Sequence, residues 1–163
     1  MDRNSPTVRP ALQGDLDTLV ELLQELFAIE QDFAPDPDRQ RKGLMLFLEG
    51  CGKHRCVLVA EWQGRVVGTA TLQILISTGE GEPVGLVEDV VVQTPYRGRG
   101  IGKCLLEALA DWAVAHGLVR LQLLADRENR PALDFYHRIG WVNTQLVCLR
   151  KASLDARGSE NES

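Results

Sequence analysis

The apolar positions of the chain follow two periodicities, which predicts a mixture of helices and strands. Leucines and valines between 16 and 27 recur at the spacing of an amphipathic helix, and the apolar positions from 101 to 112 repeat that pattern. Between these segments lie runs rich in β-branched residues, separated by turn residues such as Gln63-Gly64. Asp15 is expected to cap the first helix, and Asp36 or Asp38 the second. We predict strands over 7–12, 56–62, 66–76, 84–92, 119–125 and 141–149, and helices over 15–32, 36–48, 101–117 and 131–139.

The order of these elements predicts the fold class. Three consecutive strands joined by short turns form an antiparallel meander, which excludes a purely doubly wound fold. The strand, helix and strand from 84 to 125 predict one βαβ crossover and therefore a local parallel pair. We expect an α/β fold of mixed α+β type: a mixed, mostly antiparallel sheet with a central βαβ crossover and helices on both faces. Residues 1–151 form one domain, and the polar, patternless segment 152–163 is expected to be a disordered C-terminal tail.

Composition narrows the class of protein. The chain has 163 residues, with 18 Lys and Arg against 23 Asp and Glu, so its net charge is −5. This balance argues against a nucleic-acid partner bound through overall charge. No apolar run reaches the roughly 18 residues that a membrane span needs, and the polar N-terminus lacks a signal-peptide core. We expect a cytoplasmic protein with no nucleic-acid or membrane partner; whether it forms a homodimer is left open.

The four cysteines do not predict a metal centre. Cys51, His54 and Cys56 lie close together, but a zinc site needs a second ligand pair, and none is present. Cys56 and Cys104 lie among apolar residues, where a thiol is usually a small core side chain. We therefore expect no metal, and no disulfide framework in a chain without a secretion signal.

The segment that carries chemistry is Arg97-Gly98-Arg99-Gly100-Ile101-Gly102-Lys103, between a predicted strand and a predicted helix. Its glycines allow a sharp turn that directs backbone N–H groups to one point, and the helix dipole adds positive potential there. Such a loop is suited to a phosphate or pyrophosphate. A glycine-rich surface turn is the alternative explanation.

Two other phosphate motifs are excluded by position. A Walker loop requires glycine where the chain has Arg97, and a Ser or Thr where it has Cys104. A dinucleotide fingerprint requires glycine at the place of Lys103 or of Leu105, depending on where it begins. The loop is therefore neither of these.

The pattern Arg97-x-x-Gly100-x-Gly102 resembles the Q/R-x-x-G-x-G/A signature of the GNAT N-acetyltransferases. The resemblance extends from about residue 7 to 150. It includes the strand Val87-Glu88-Asp89-Val90-Val91-Val92 before the loop and the opening Val8-Arg9-Pro10-Ala11. A downstream segment is similar to the family's N-x-x-A-x-x-F-Y-x-x-x-G-F, with Trp141 in the place of the last Phe; its matching positions are Asn129, Ala132, Phe135, Tyr136 and Gly140.

This resemblance implies a binding site for acetyl-CoA as cosubstrate. In the family, the strand before the loop binds pantetheine and the acetyl carbonyl through its backbone, here Val90, Val91 and Val92. The loop from Arg97 to Lys103 would bind the pyrophosphate. Residues at the positions of Asn129 and Tyr136 commonly contact the cofactor as well.

The reaction needs a base and benefits from an acid. An alkyl amine has a pKa of about 10.4 and must lose a proton before it attacks. Glu88 is the first candidate base, because it interrupts an apolar strand near the cofactor; facing solvent or pairing with an Arg is the alternative. Strand alternation places Asp89 on the other face, as second choice. Tyr136 is the candidate acid for the leaving thiolate, and packing of its ring in the core is the alternative.

The sequence thus predicts an N-acetyltransferase that moves the acetyl group of acetyl-CoA to a primary amine of a small molecule or peptide by direct attack. A non-catalytic module that senses acyl-CoA, and a structural interaction domain, remain alternatives. The amine stays open among peptides, polyamines, antibiotics and amino acids. Acidic residues that could gather near the entrance and favour a cation are Asp32, Asp36, Asp38, Glu80, Glu82, Glu88 and Asp89.

Overall fold

A computed structural model of the chain describes residues 5–151. Two short 3-10 turns, at Gln13–Asp15 and Thr94–Tyr96, precede the first and the third helix. The strands are β1 (Thr7–Pro10), β2 (Arg55–Trp62), β3 (Arg65–Ser77), β4 (Glu82–Val92) and β5 (Leu121–Leu123). The helices are α1 (Leu16–Phe27), α2 (Pro37–Glu49), α3 (Ile101–Ala115) and α4 (Arg130–Arg138).

The strands form one sheet in the order β1-β2-β3-β4-β5, so each strand pairs with its neighbour in sequence. The first three pairings are antiparallel, and β4 pairs with β5 in parallel. The parallel pair is joined through α3, because parallel neighbours need a crossover rather than a hairpin. The mixed, mostly antiparallel sheet with one βαβ crossover is therefore confirmed.

Helices cover both faces of the sheet, as predicted. The side chains of β2 alternate, so that Leu58 lies in the core beneath α3 while Val57 and Val59 lie in the core beneath α1 and α2. Leu105 of α3 and Leu19 of α1 are fully buried on these opposite faces. The sheet is thus held between two apolar layers.

A β-bulge interrupts β4 in its second half. Val91 lies opposite Thr69 and Glu88 lies opposite Thr71, so Asp89 and Val90 share the space opposite Ala70. Asp89 has a φ of 53°, a left-handed conformation that Asp tolerates better than most residues. The bulge changes which alternate residues face α1, because an extra residue shifts the phase of a strand. It lies at the centre of the candidate site described below.

The prediction of a last strand over 141–149 is wrong. No strand forms there, and Val142 and Leu149 are 83% and 89% exposed. Trp141 N–H still donates to the carbonyl of Tyr136 at 3.0 Å, at the end of α4. An apolar–polar alternation yields a strand only when an edge accepts its backbone and a core covers its apolar side chains. Here β5 pairs over three residues only.

Two further expectations at element ends need correction. Asp15 does not cap α1; its carboxylate accepts hydrogen bonds from the Arg9 guanidinium at 2.8 and 3.0 Å and from Leu12 N–H at 2.7 Å. The Arg9 guanidinium holds the pKa of Asp15 below its ordinary value. Asp36 does cap α2, by accepting from Arg39 N–H. The proposed tail over 152–163 lies outside the described residues.

Candidate active site

A cleft open to solvent lies where β4 and β5 diverge. Four parts of the chain line it: the end of α1, the bulge of β4, the residues that follow β5, and α4. The parallel pairing ends at Val87 and Leu123, beyond which the two strands separate. The residues that line the cleft are Leu26, Glu30, Val87, Glu88, Asp89, Val90, Leu123, Leu124, Ala125, Asp126, Asn129, Ala132 and Tyr136.

The edge of β4 is free over its second half. From Glu88 to Val92, β4 pairs with β3 on one side and has no strand on the β5 side among the described residues. Backbone groups on such an edge can bind an extended ligand as another strand would. The side chains are used elsewhere: Val91 packs beneath α1 and α2, and Val90 and Val92 pack against the core beneath α3. The carbonyl of Val92 accepts a hydrogen bond from Arg97 Nε at 2.8 Å.

The glycine loop ends β4 and begins α3. Gly98 and Gly100 have φ values of 75° and 78°, which glycine adopts at no steric cost. Within residues 5–151, none of the backbone N–H groups from 98 to 103 donates a hydrogen bond to a protein acceptor. These groups are therefore free to donate to a ligand. A row of unpaired donors at a helix N-terminus is the arrangement that binds phosphate. The loop geometry is therefore suited to the predicted pyrophosphate.

The loop's cationic side chains are held by neighbours. Arg97 forms an ion pair with Glu25 of α1 at 3.3 Å, which fixes it beside the carbonyl of Val92. The Arg99 guanidinium lies over the rings of Trp62 and Tyr96, at 5.3 and 5.9 Å from their centroids. These contacts position positive charge around the loop while leaving its backbone free.

Gly102 brings α3 close to α4. A Cβ at this position would lie 3.2 Å from a ring carbon of Phe135. The glycine therefore serves the packing of α4, which carries Tyr136 into the cleft. At Gly100 a Cβ would meet nothing within 4 Å, so only its left-handed backbone requires glycine.

Glu88 and Asp89 both line the cleft, so the expectation that Asp89 lies on the opposite face is wrong. The bulge is the reason, because it breaks the alternation between them. Gln73 Nε2 donates to the Glu88 carboxylate at 3.3 Å, and Thr71 Oγ1 shares its one proton between the Glu88 carbonyl oxygen at 3.1 Å and Asp89 Oδ2 at 3.3 Å. Burial, followed by the charge of Glu88, raises the pKa of Asp89 to about 6. The cleft thus contains two adjacent carboxylates, one of which exchanges its proton near neutral pH.

Tyr136 and Asn129 enter the cleft from α4. Burial, followed by the charge of Glu30, raises the pKa of Tyr136 to about 12, so its phenol stays protonated at neutral pH. The ring packs near Phe135 and Trp141, and its hydroxyl makes no hydrogen bond with the residues the structure describes. Asn129 caps α4 by accepting from Ala132 N–H at 3.3 Å. Both residues are thus placed together with Glu88 and Asp89.

Glu30 and Asp126 also line the cleft, and the sequence analysis missed both. Each has a signal in the sequence. Glu30 lies seven residues after the buried Leu23 and four after Leu26, so it continues the apolar stripe of α1. Asp126 follows β5 at the carboxyl end of a parallel strand, where ligand-binding residues commonly lie.

The four cysteines can be considered as metal ligands or as core thiols. Cys51, Cys56, Cys104 and Cys148 are all free thiols, and burial raises the pKa of Cys56 to about 12. In the range 5–151, no group of three or more His, Cys, Asp or Glu side chains could hold a metal ion. Over the same residues, no helix combines the length and apolar character that a membrane span requires.

Comparison with known proteins places the chain in a family. The sequence model of the Acetyltransferase (GNAT) family matches residues 18–141, which is most of the described chain. The protein belongs to the GNAT acetyltransferase family. The resemblance found in the loop and in α4 is therefore confirmed.

Individual relatives agree with this placement. A glucosamine 6-phosphate N-acetyltransferase of Trypanosoma brucei brucei is 38% identical over 79 residues, 48% of this chain and 52% of the relative. An uncharacterized N-acetyltransferase of Methanocaldococcus jannaschii is 27% identical over 144 residues, 86% of this chain and 62% of the relative. The chain thus spans between about half and two thirds of the length of these curated relatives.

A solved structure shows the same fold. AAC(6')-Iy, in complex with the bisubstrate analogue CoA-S-monomethyl-acetylneamine, superimposes with a TM-score of 0.74 at 20% identity. The match covers 91% of this chain and 99% of that one. At this identity the likeness establishes the fold and leaves the acceptor of the present protein to be argued from its own cleft.

Proposed function

We propose that this protein transfers the acetyl group of acetyl-CoA to a primary amine of a small molecule or peptide. One observation carries the proposal: the free edge of β4 leads from the unpaired N–H groups of the glycine loop directly to a cleft with two carboxylates and a phenol. Family membership and the CoA analogue bound to AAC(6')-Iy support the choice of cosubstrate.

The residues present fit acetyl-CoA. The loop from Arg97 to Lys103 supplies N–H donors and positive charge for a pyrophosphate, and the free backbone of Val90 and Val91 can bind an extended pantetheine. Asn129 lines the cleft together with Tyr136 and can contact the cosubstrate there. When bound, acetyl-CoA supplies an acetyl thioester.

We assign the base to Glu88, directly or through a water molecule, with Asp89 as the second carboxylate. As the C–N bond forms and the C–S bond breaks, Glu88 takes the proton of the amine, and Tyr136 donates its phenolic proton towards the sulfur. Asp89, whose pKa is about 6, can share the proton that Glu88 takes. The products are an acetylated amine and CoA as a free thiol.

The acid is tested with Tyr136→Phe, which removes the hydroxyl and keeps the ring. Turnover, measured by thiol release with a panel of amines, should fall on the order of 10²-fold with little change in acetyl-CoA affinity. Tyr96→Phe is the matched control, because Tyr96 is the other of the chain's two tyrosines and does not line the cleft. Unchanged turnover in Tyr136→Phe would show that the thiolate leaves without this acid.

The base is tested with Glu88→Gln and Asp89→Asn, and Glu82→Gln at the exposed start of β4 is the control. The variant that loses the base should recover turnover at high pH, where more of the amine is already deprotonated. The same loss at every pH in Glu88→Gln would assign that residue to substrate binding. Acetyl-CoA binding without turnover of any amine would favour the sensor module.

A further inference from the structure

The cleft has an unbalanced charge. Four of its lining side chains are carboxylates, namely Glu30, Glu88, Asp89 and Asp126, and none is Lys, Arg or His. These four come from three parts of the chain: the segment after α1, the bulge of β4, and the segment after β5. Negative groups separated in sequence are thus brought to one cavity without a cation beside them.

Carboxylates elsewhere in the fold are often neutralised. Asp15, Glu25 and Glu80 form ion pairs with Arg9, Arg97 and Arg120. None of the four cleft carboxylates takes part in an ion pair with any residue between 5 and 151. Asp89 is partly buried, and among the described residues only Thr71 lies within hydrogen-bond distance of its carboxylate, at Oδ2. Partly buried carboxylates that lack a positively charged partner are stabilised when a cationic ligand binds beside them.

Two further features favour a cation. The C-terminal end of α1 adjoins the cleft through Leu26 and Glu30, and a helix C-terminus carries negative potential. The pKa of Glu30 is raised by burial and then by the charges of Asp126, Asp32 and Glu88. The carboxylates therefore repel one another, and a bound cation would relieve that repulsion.

We propose that the acceptor is a small polycationic amine, which bears at least one ammonium group besides the amine that is acetylated. This inference rests on the proposed function. The reacting amine lies at Glu88 and Asp89, and the second ammonium lies between Glu30 and Asp126. An acceptor that carries a phosphate would bring two negative charges against four carboxylates, so this cleft disfavours phosphorylated amino sugars.

Three acceptors of equal chain length test the inference. In 1,5-diaminopentane the second group is positive, in n-pentylamine it is absent, and in 5-aminopentanoate it is negative. At low ionic strength kcat/KM should decrease in that order, by roughly fivefold or more at each step, and added salt should reduce the differences. Equal values, or a preference for 5-aminopentanoate, would overturn the inference.

Variants locate the second charge. Glu30→Gln and Asp126→Asn should each reduce the preference for the diamine over n-pentylamine by about fivefold, the effect of one half-exposed ion pair. Glu49→Gln removes an exposed carboxylate at the end of α2 and should retain the preference. An unchanged preference in both cleft variants would refute the assignment of Glu30 and Asp126.

Calorimetry separates this inference from the proposed function. Spermidine should bind to the protein without turnover being required, and its affinity should fall in a Glu30→Gln, Asp126→Asn double variant. Absence of thiol release from every amine, with spermidine binding intact, would contradict the proposed function alone. Thiol release with no charge preference and no spermidine binding would contradict the inference alone.

Discussion

Asp89→Asn should make the protein more stable at neutral pH. The carboxylate is buried beside Glu88, and its pKa is raised from the ordinary 3.8 to about 6. At about 1.4 kcal/mol for each tenfold change in proton affinity, the ionised form costs the folded state about 3 kcal/mol. Asparagine keeps the side-chain shape and also tolerates the left-handed φ of 53°. The variant removes the charge without removing the acceptor for Thr71.

Because folding raises the pKa of Asp89, the free energy of unfolding of the wild type should fall relative to that of the variant as pH rises. Below about pH 3, Asp89 is protonated in the folded and unfolded states, so wild type and variant should unfold alike; at pH 4 the difference should still be below about 1 kcal/mol. As pH rises from 4 to 6, the unfolded state ionises first, and wild type loses stability relative to the variant. The difference should reach about 3 kcal/mol above pH 6 and stay constant to pH 8.

Urea unfolding at pH 4, 5, 6 and 7 measures this difference, with tryptophan fluorescence as the signal. Asp111→Asn, which removes an exposed carboxylate of α3, is the control for the loss of one negative charge. A difference for Asp89→Asn that is equally large at every pH, or a loss of stability at pH 7, would show that its carboxylate is not destabilised by burial. The electrostatic account of the bulge would then fail.

Two further variants test the loop and the N-terminal ion pair. Gly100→Ala should weaken acetyl-CoA binding about tenfold in calorimetry. Alanine is strained at a φ of 78° by roughly 1 kcal/mol, and relief of that strain would move the unpaired N–H groups of the loop. Gly43→Ala, in α2, is the control and should leave binding unchanged. Asp15→Asn should destabilise the fold at pH 7 by about 3 kcal/mol, because Arg9 loses a bidentate partner. That loss should shrink as pH falls below the ordinary pKa of 3.8, because the unfolded state then binds a proton that folded Asp15, whose pKa is lowered, does not; a loss unchanged at pH 3 would refute it.

The order of elements and the glycine loop could be predicted from local patterns. Apolar periodicity in α1 and α3, and the turn at Gln63-Gly64, act within a few residues of one another. The bulge at Asp89 could not be predicted in this way, since it depends on the register between β3 and β4. The wrong strand over 141–149 has a similar cause: its pattern is local, but a strand requires a partner edge.

The residues of the candidate site likewise fall into those that local sequence patterns predict and those that they do not. Glu88 could be proposed because it interrupts an apolar strand, and Tyr136 because it lies in a segment that resembles a family motif. Glu30 and Asp126 were missed because they carry no motif, and their importance arises from elements that meet only in three dimensions. Glu30 nevertheless continues the spacing of the apolar stripe of α1 just beyond the end of that helix, so a charged residue in register with an apolar stripe is the signal to seek.

The free edge of β4 would bind an extended ligand through main-chain groups, so that binding does not depend directly on which side chains the strand carries. The valine side chains at 90, 91 and 92 are divided between the two apolar layers, whereas the groups facing the β5 side belong to the main chain. These side chains can therefore be exchanged during evolution for others of similar volume, while the main-chain hydrogen bonds to an extended ligand stay the same. Substitutions along this strand would report on folding, while sensitivity to the ligand would follow the placement of the bulge and the spacing of the two diverging strands.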